Sequence, residues 1–360
     1  MSRATSGLMM ALCATCLTAC QFTGPSTIRV GRGIYNAAVQ QTNNEQLLLN
    51  IVRLRYRDNP FFLEVASVST SFAFEAAADA SADLPSSAAD TFGVGAGVGV
   101  SEEPTVTYTP LQGEQFVKQL LSPLDPALLL LLNHSGWSIN RILRVCVQRL
   151  GRLTNAPSAS GPTPDREPEY RPFLRVATLL RELELAGALQ VGQSDDPDRA
   201  AIVLQVEPEA LGSPEVREVG EILGLALADG RLRLVPGRTT DEPDAVTFQT
   251  RSLMAALFYV SQGVVAPLEH EESGWVNVTR RADGERFDWT QVTDGLLQVE
   301  SKRLRPRDAF VKTPYNGRWF YIDKADLDSK STFLLLSQLF ALQGGSVPAL
   351  TPVLTLPVSR

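Results

Sequence analysis

Four cysteines and two histidines carry most of this chain's capacity for nucleophilic or metal chemistry, and their spacing excludes most of it. Cys13, Cys16 and Cys20 crowd into the first twenty residues, and His134, Cys146 and His270 stand singly beyond them. No such set has the spacing of a zinc or haem site. Glu269-His270-Glu271-Glu272 could grip a cation, but Pro267, Ser273 and Gly274 around it predict an exposed acidic loop. Asp323, Asp326 and Asp328 lack the glycine and terminal glutamate of a calcium loop, and Asp328 is expected to cap a helix. Ser329-Lys330 are adjacent rather than spaced S-x-x-K, and neither G-x-x-x-x-G-K-[ST] nor G-x-S-x-G occurs. The expectation is a chain without metal, cofactor or catalytic motif. The enzymatic alternative is a hydrolase whose carboxylates, such as Glu64, Asp323 and Asp326, are assembled by folding.

One segment does point to a definite reaction. In the first twenty residues Arg3 is the only charge, and the apolar run Leu8 to Leu17 is too short to span a bilayer. Residues 1–19 therefore read as an export signal. Leu17-Thr18-Ala19-Cys20 resembles the bacterial lipobox, in which the cysteine thiol takes a diacylglycerol as a thioether and a narrow peptidase site admits the small residues before it. Cys20 is the predicted lipidation site, and residues 20–33, containing Gly24, Pro25, Gly31 and Gly33, are the predicted tether. About 13 flexible residues reach roughly 20 Å. Gln21 is not the aspartate that would retain such a protein at the inner membrane, so the expected location is the outer membrane, facing the periplasm. Only Cys146 then remains free, on an apolar stripe where it is expected to be inert.

Composition agrees with a folded envelope protein. The chain has 360 residues, 44% hydrophobic and 20% charged, enough for a real core and too apolar for wholesale disorder. A net charge of -7, or -8 once the leader removes Arg3, argues against a nucleic-acid partner.

The elements follow from periodicity. Thr42-Asn43-Asn44-Glu45 matches a capping box before the apolar spacing Leu47, Leu48, Ile51, Val52 and Leu54, and Asp58-Asn59-Pro60 ends that helix. Its Arg53, Arg55 and Arg57, beside Asn50, are expected to form a solvated face. Alternation from Phe61 through Phe74 predicts a strand, Ala76 to Asp90 a loop, and Thr105 to Thr109 a separate strand beyond Glu102-Glu103-Pro104.

Between them, Phe92 to Val100 has glycine at every second residue. It is no phosphate cradle, because its period is strictly two and a strand follows. The glycines share one face, and Phe92, Val94, Ala96, Val98 and Val100 share the other; the expectation is a smooth sheet packed against the protein's own helices or a neighbour in an assembly, and the alternative is a membrane strand.

Residues 111–153 read as helical, with Asp125 and Ser138 as caps and Arg141, Arg144 and Arg152 on a solvated side of the third helix. Residues 154–169 hold four prolines and no apolar period, predicting a linker. Beyond it lie expected helices over 173–185, 214–227 and 252–262, with strands over 188–191, 201–206, 231–235, 245–250, 275–279, 296–301, 309–313, 319–322 and 353–358. Trp319 and Tyr321, on one side of their strand, are expected to pack in the core, with a partner surface as the alternative. The predicted architecture is α+β. A helical domain over 34–153 carries a glycine-rich antiparallel ribbon at 61–109, and a mixed α+β domain fills 170–360.

Three blocks carry a likeness to a known group: Asn44-Glu45-Gln46-Leu47-Leu48-Leu49-Asn50 through Arg57-Asp58, Tyr108-Thr109-Pro110-Leu111, and Gly317-Arg318-Trp319-Phe320-Tyr321-Ile322-Asp323 with Ser329-Lys330-Ser331-Thr332-Phe333. Together with the lipobox they resemble a family of exported bacterial lipoproteins of no known activity, a likeness that covers most of the chain after the leader. It implies secretion and no catalytic residue. The expected function is a membrane-anchored, non-catalytic component that scaffolds the cell envelope, binds an envelope protein or associates with itself. The alternative is an oligomeric outer-membrane pore or secretion component built from strands 61–109.

Overall fold

A computed structural model describes residues 33–82, 92–194, 201–237, 239–240, 242, 245–344 and 354–357. The expected signal, Cys20 and the tether lie outside them. The described residues form an α+β protein of two compact units. The first comprises those within Met1–Asn43, Leu63–Leu111 and Ala349–Arg360; the second, those within Asn44–Phe62 and Gln112–Pro348.

The first unit is built on a three-stranded sheet of order β1-β2-β12, from β1 (Phe62–Ala82), β2 (Phe92–Leu111) and β12 (Leu354–Pro357). The expected loop at Ala76 is a continuation of β1 as far as Ala82, and Glu102-Glu103-Pro104 does not interrupt β2. Alanine, serine and aspartate have little strand preference of their own, so pairing with a neighbouring strand overrides it here. The C-terminal strand pairs antiparallel with β2, Leu354 opposite Tyr108 and Pro357 opposite Thr105, rather than joining the sheets that precede it in the chain.

Helix α1 spans residues 33–55, beginning before the expected capping box. Thr42 is an interior residue whose hydroxyl bonds the Val39 carbonyl, because no breaker stands in the preceding turn. The helix ends as expected, with Arg57 in the left-handed region. Fully buried Asn50 then takes both backbone groups of Phe61, Nδ2 donating to the carbonyl at 2.8 Å and Oδ1 accepting from the amide at 2.9 Å, which sets the turn into β1.

The second unit holds a six-stranded sheet of order β4-β3-β8-β7-β6-β5 and a three-stranded sheet β10-β11-β9. Their strands are β3 (Val147–Leu150), β4 (Leu153–Thr154), β5 (Leu189–Gln193), β6 (Ile202–Val206), β7 (Arg231–Pro236), β8 (Ala245–Thr250), β9 (Glu300–Lys302), β10 (Ala309–Tyr315) and β11 (Arg318–Asp323). Among these described strands β7 and β8 pair in parallel and the others antiparallel.

Helices α2 (Glu114–Leu121), α3 (Pro126–His134), α4 (Ile139–Cys146), α5 (Arg171–Leu185), α6 (Pro214–Leu223), α7 (Leu253–Ser261), α8 (Leu268–Glu272), α9 (Thr290–Thr293) and α10 (Leu327–Gly344) complete it. The expected caps hold at Asp125, which accepts from Ala127 N, and at Ser138, which accepts from Arg141 N. At α10 the cap is Asp326, accepting from the Ser329 amide at 2.9 Å; Asp328 instead meets Arg141 at 2.7 Å.

The third expected helix stops at Cys146 and turns directly into β3. Its cause lies far along the chain. Arg251, 0% exposed, donates through Nη1 to the carbonyls of Arg144, Val145 and Val147, acceptors that a continuing helix would have used. The same guanidinium reaches the Asn155 carbonyl and, at 2.9 Å, Ser160 Oγ, and stacks 3.8 Å from the Tyr259 ring centroid. Burial lowers its pKa to about 10, which leaves it charged at neutral pH.

The expected linker at 154–169 is therefore part of the second unit. Asn155, Ala156 and Ala159 are buried, and Pro164 accepts hydrogen bonds from Asn277 and Thr279. Those partners occupy what reads as a strand at 275–279 and is irregular in the structure. Prolines mark the loss of a regular backbone, not the loss of packing.

Candidate functional site

Two places carry features that could serve a function, one in each unit. In the first, β1 and β2 are 21 and 20 residues long and are hydrogen-bonded neighbours. Strands of five or six residues are usual, and about ten cross an outer membrane. Phe92, Val94, Ala96, Val98 and Val100 occupy alternate positions of β2, as expected, with Gly93, Gly95, Gly97 and Gly99 between them. The even positions of β1 repeat the pattern, with Ala66, Val68, Phe72, Phe74, Ala76, Ala78, Ala80 and Ala82 against Ser67, Ser69, Ser71, Glu75, Asp79 and Ser81. Among the described residues no helix is long and apolar enough to cross a membrane.

In the second unit, the loop expected around His270 is helix α8, and its histidine is only 4% exposed. The Tyr56 hydroxyl lies 2.7 Å from His270 Nδ1, the Trp275 ring is 4.8 Å from the imidazole, and Tyr56 packs on Tyr315 and Phe320. Tyr315 donates to Asp58, so this cluster fastens the end of α1 to α8, β10 and β11. Glu269 pairs with Arg318, and Glu271 with Arg286 at 2.7 Å.

Burial holds the His270 pKa below its ordinary value near 6.5, with Glu269 opposing and Arg318 assisting. The unfolded chain then takes up this proton more readily than the folded one, so stability is full above about pH 6.5 and falls as the pH drops below it. Urea midpoints measured from pH 7.5 to 5.5 should decline in the wild type and flatten in His270→Gln. Parallel curves would remove His270 as the cause. Glu269, whose pKa is lowered by its Arg318 bond, loses its contribution only below the carboxylate range and does not enter this window.

Beside this cluster is a cleft of about 680 Å³ lined by Arg55, Gln262, Thr279, Arg286, Trp289 and Ser329, among others. Arg55, expected on a solvated face, is 7% exposed and donates to the Asn277 carbonyl at 3.0 Å. Its pKa is lowered by burial to about 10. Arg55 Nε and Gln262 Oε1 have no hydrogen-bond partner among the described residues.

Asp326, Asp328 and Ser329 at the cleft have structural partners. Asp326 caps α10 and accepts from Ser329 Oγ, Asp328 pairs with Arg141, and Ser329 Oγ accepts from the Gln298 amide at 2.8 Å. Asp323 accepts from the Ala325 amide. Glu64 belongs to the other unit and is exposed on β1. Among the described residues no group of three His, Cys, Asp or Glu side chains could hold a metal.

The other candidate residues lie elsewhere. Tyr321 is 1% exposed, donates to Glu300 and carries Lys302 Nζ 4.6 Å from its ring centroid, the core packing expected rather than the alternative partner surface; Phe320 on the opposite side of β11 is buried too. Trp319 is half-buried, with Arg305 5.3 Å from its ring centroid. Arg144, expected in solvent, is buried and donates to the carbonyls of Val292 and Asp294. Cys146 is fully buried as expected, its thiol pushed up to about 12.

Arg55 was legible in principle, since it stands four residues after Ile51 and seven after Leu48 on the apolar stripe. Arg251, in the short joint between β8 and α7, offers no periodic signal. No protein-family model, curated protein or solved structure matches the chain.

Proposed function

We infer that the chain is a lipid-anchored component of the bacterial outer membrane, facing the periplasm, that works by assembly rather than by catalysis. The observation that carries this reading is the paired strands of 21 and 20 residues, far longer than a domain core requires. Among the described residues β1 is the edge strand of its sheet and β2 carries β12 opposite Thr105–Tyr108; a long open edge templates further strands, and a soluble protein normally blunts it. The lipobox resemblance supports a location at the membrane, and the family resemblance supports export. The use of Ser329, Asp323 and Asp326 in turns and a cap supports a structural rather than a hydrolytic role.

In this reading Cys20 fixes position, the tether gives reach, and the ribbon of β1 and β2 recruits the partner, an envelope protein or another copy. The test is a photo-crosslinker placed singly at Ser69, Glu75, Gly95 and Gly99 in the ribbon, and at Arg217 and Glu285 in the second unit, in the full-length protein in its native membrane. Ribbon positions should give discrete crosslinked bands absent from the other two. Bands only from Arg217 or Glu285 would overturn the assignment of the ribbon as the working surface.

A further inference from the structure

We propose that the ribbon is the membrane-spanning contribution of one copy to a β-barrel closed by several copies, with a cation-selective lumen. This rests on the assembly reading above and names its partners: further copies of this chain and the hydrocarbon of the bilayer. Three features of the strands carry it.

The first is length. The apolar stripe of β2 runs from Phe92 to Val100, with Asp90 before it and Glu102-Glu103 after it. Nine residues at about 3.3 Å rise span about 30 Å, and tilted by about 40° they cover about 23 Å of depth, close to the roughly 25 Å apolar band of outer-membrane barrels.

The second is that both strands have the same two-faced pattern. Even positions from Ala66 to Ala82 are apolar apart from Thr70, and odd positions carry serine, alanine, Glu75 and Asp79. The proposed barrel pairs even positions of β1 with even positions of β2, so that both apolar stripes meet lipid. It brings the glycines, serines and both acids to the other, against water. A two-faced ribbon suits a membrane only when closed, because hydrocarbon satisfies no backbone donor or acceptor. Two strands cannot close, and the short β12 pairs with β2 only beyond the apolar stripe, so other copies must supply the rest. A water-filled lumen takes about 16 to 18 strands, hence about eight or nine copies.

The third is charge. On the water side each copy contributes Glu75, Asp79 and, at the end of the stripe, Glu103, and the odd positions of β1 and β2 hold no lysine or arginine. Repeated around a barrel, these acids form rings that favour cations.

The test uses the full-length acylated protein reconstituted into phosphatidylethanolamine/phosphatidylglycerol membranes, with single variants Val94→Cys, Gly95→Cys, Ala96→Cys and Gly97→Cys. A water-soluble maleimide should label positions 95 and 97 about tenfold faster than 94 and 96, as period-two exposure requires. Planar bilayers should show discrete cation-preferring conductance, and Glu75→Gln with Asp79→Asn should lower the cation-to-anion permeability ratio about threefold or more. The paired variant Ser67→Cys/Ser101→Cys should yield disulfide-linked multimers. Multimers with equal labelling at all four positions would overturn membrane insertion while leaving assembly standing. Absence of multimers together with absence of conductance would sink the assembly reading as well.

Discussion

Arg251→Met should destabilise the second unit by about 3–5 kcal/mol and lower its melting temperature by roughly 10 °C. Arg251 is a wholly buried cation whose hydrogen-bond acceptors are carbonyls and a hydroxyl rather than a carboxylate. Its desolvation is offset by the carbonyls at the end of α4, where the helix dipole is negative, and by the Tyr259 ring. Methionine keeps much of the volume and removes the donors. Asn155 Nδ2 still serves the carbonyls of Arg144 and Val147, so the new deficits fall on those of Val145 and Asn155. Each buried acceptor left without a partner costs about 1–3 kcal/mol.

Lysine should fall between, because one ammonium cannot reach both the end of α4 and the 155–160 segment in the way a planar fork does. Urea denaturation measures the loss, and limited proteolysis of the native state locates it. Cleavage within 154–169 should accelerate in both variants, since this guanidinium ties that segment to α4 and β3. A melting temperature within about 2 °C of the wild type for Arg251→Met, a shift worth less than about 1 kcal/mol, would show the network to be dispensable.

Cys20→Ser should abolish incorporation of labelled palmitate and reduce the membrane-associated fraction at least about tenfold, because each buried methylene contributes about 0.8 kcal/mol and stable anchoring needs more than one chain. Serine is nearly isosteric, yet its hydroxyl does not form the thioether on which acylation depends. The melting temperature of the second unit should be unchanged, which separates loss of the anchor from loss of the fold. Undiminished palmitate in Cys20→Ser would place the acyl group elsewhere and remove the anchor from the proposed function.

How much of this was readable in the chain differs by element. Asp125 and Ser138 are found as caps because capping is a local exchange between one side chain and the amides two or three residues on. The buried strand Ile202–Val206 and helix Arg171–Leu185 follow from apolar runs of the right length. The continuation of β1 through Ala76–Ala82 is invisible locally, since its residues favour no strand and only β2 provides the ladder. The arrest of α4 at Cys146 is equally hidden, because the group that captures its carbonyls stands about a hundred positions later. His270 looked like part of a polar turn because its neighbours are acidic, whereas Tyr56, distant in sequence, and the nearby Trp275 enclose it.

The sequence by itself determined what depends on neighbours along the chain: the two-residue period of the glycine segment, the caps at Asp125 and Ser138 and the α+β class. Tertiary structure alone decided that Arg144 and Arg251 are buried, that the 154–169 segment is packed rather than loose, that β12 pairs with β2, and that the ribbon is about twice the length needed to cross a membrane. The physical reason is that periodicity assigns a residue to a face, while burial and strand pairing are set by whatever distant segment comes to cover that face.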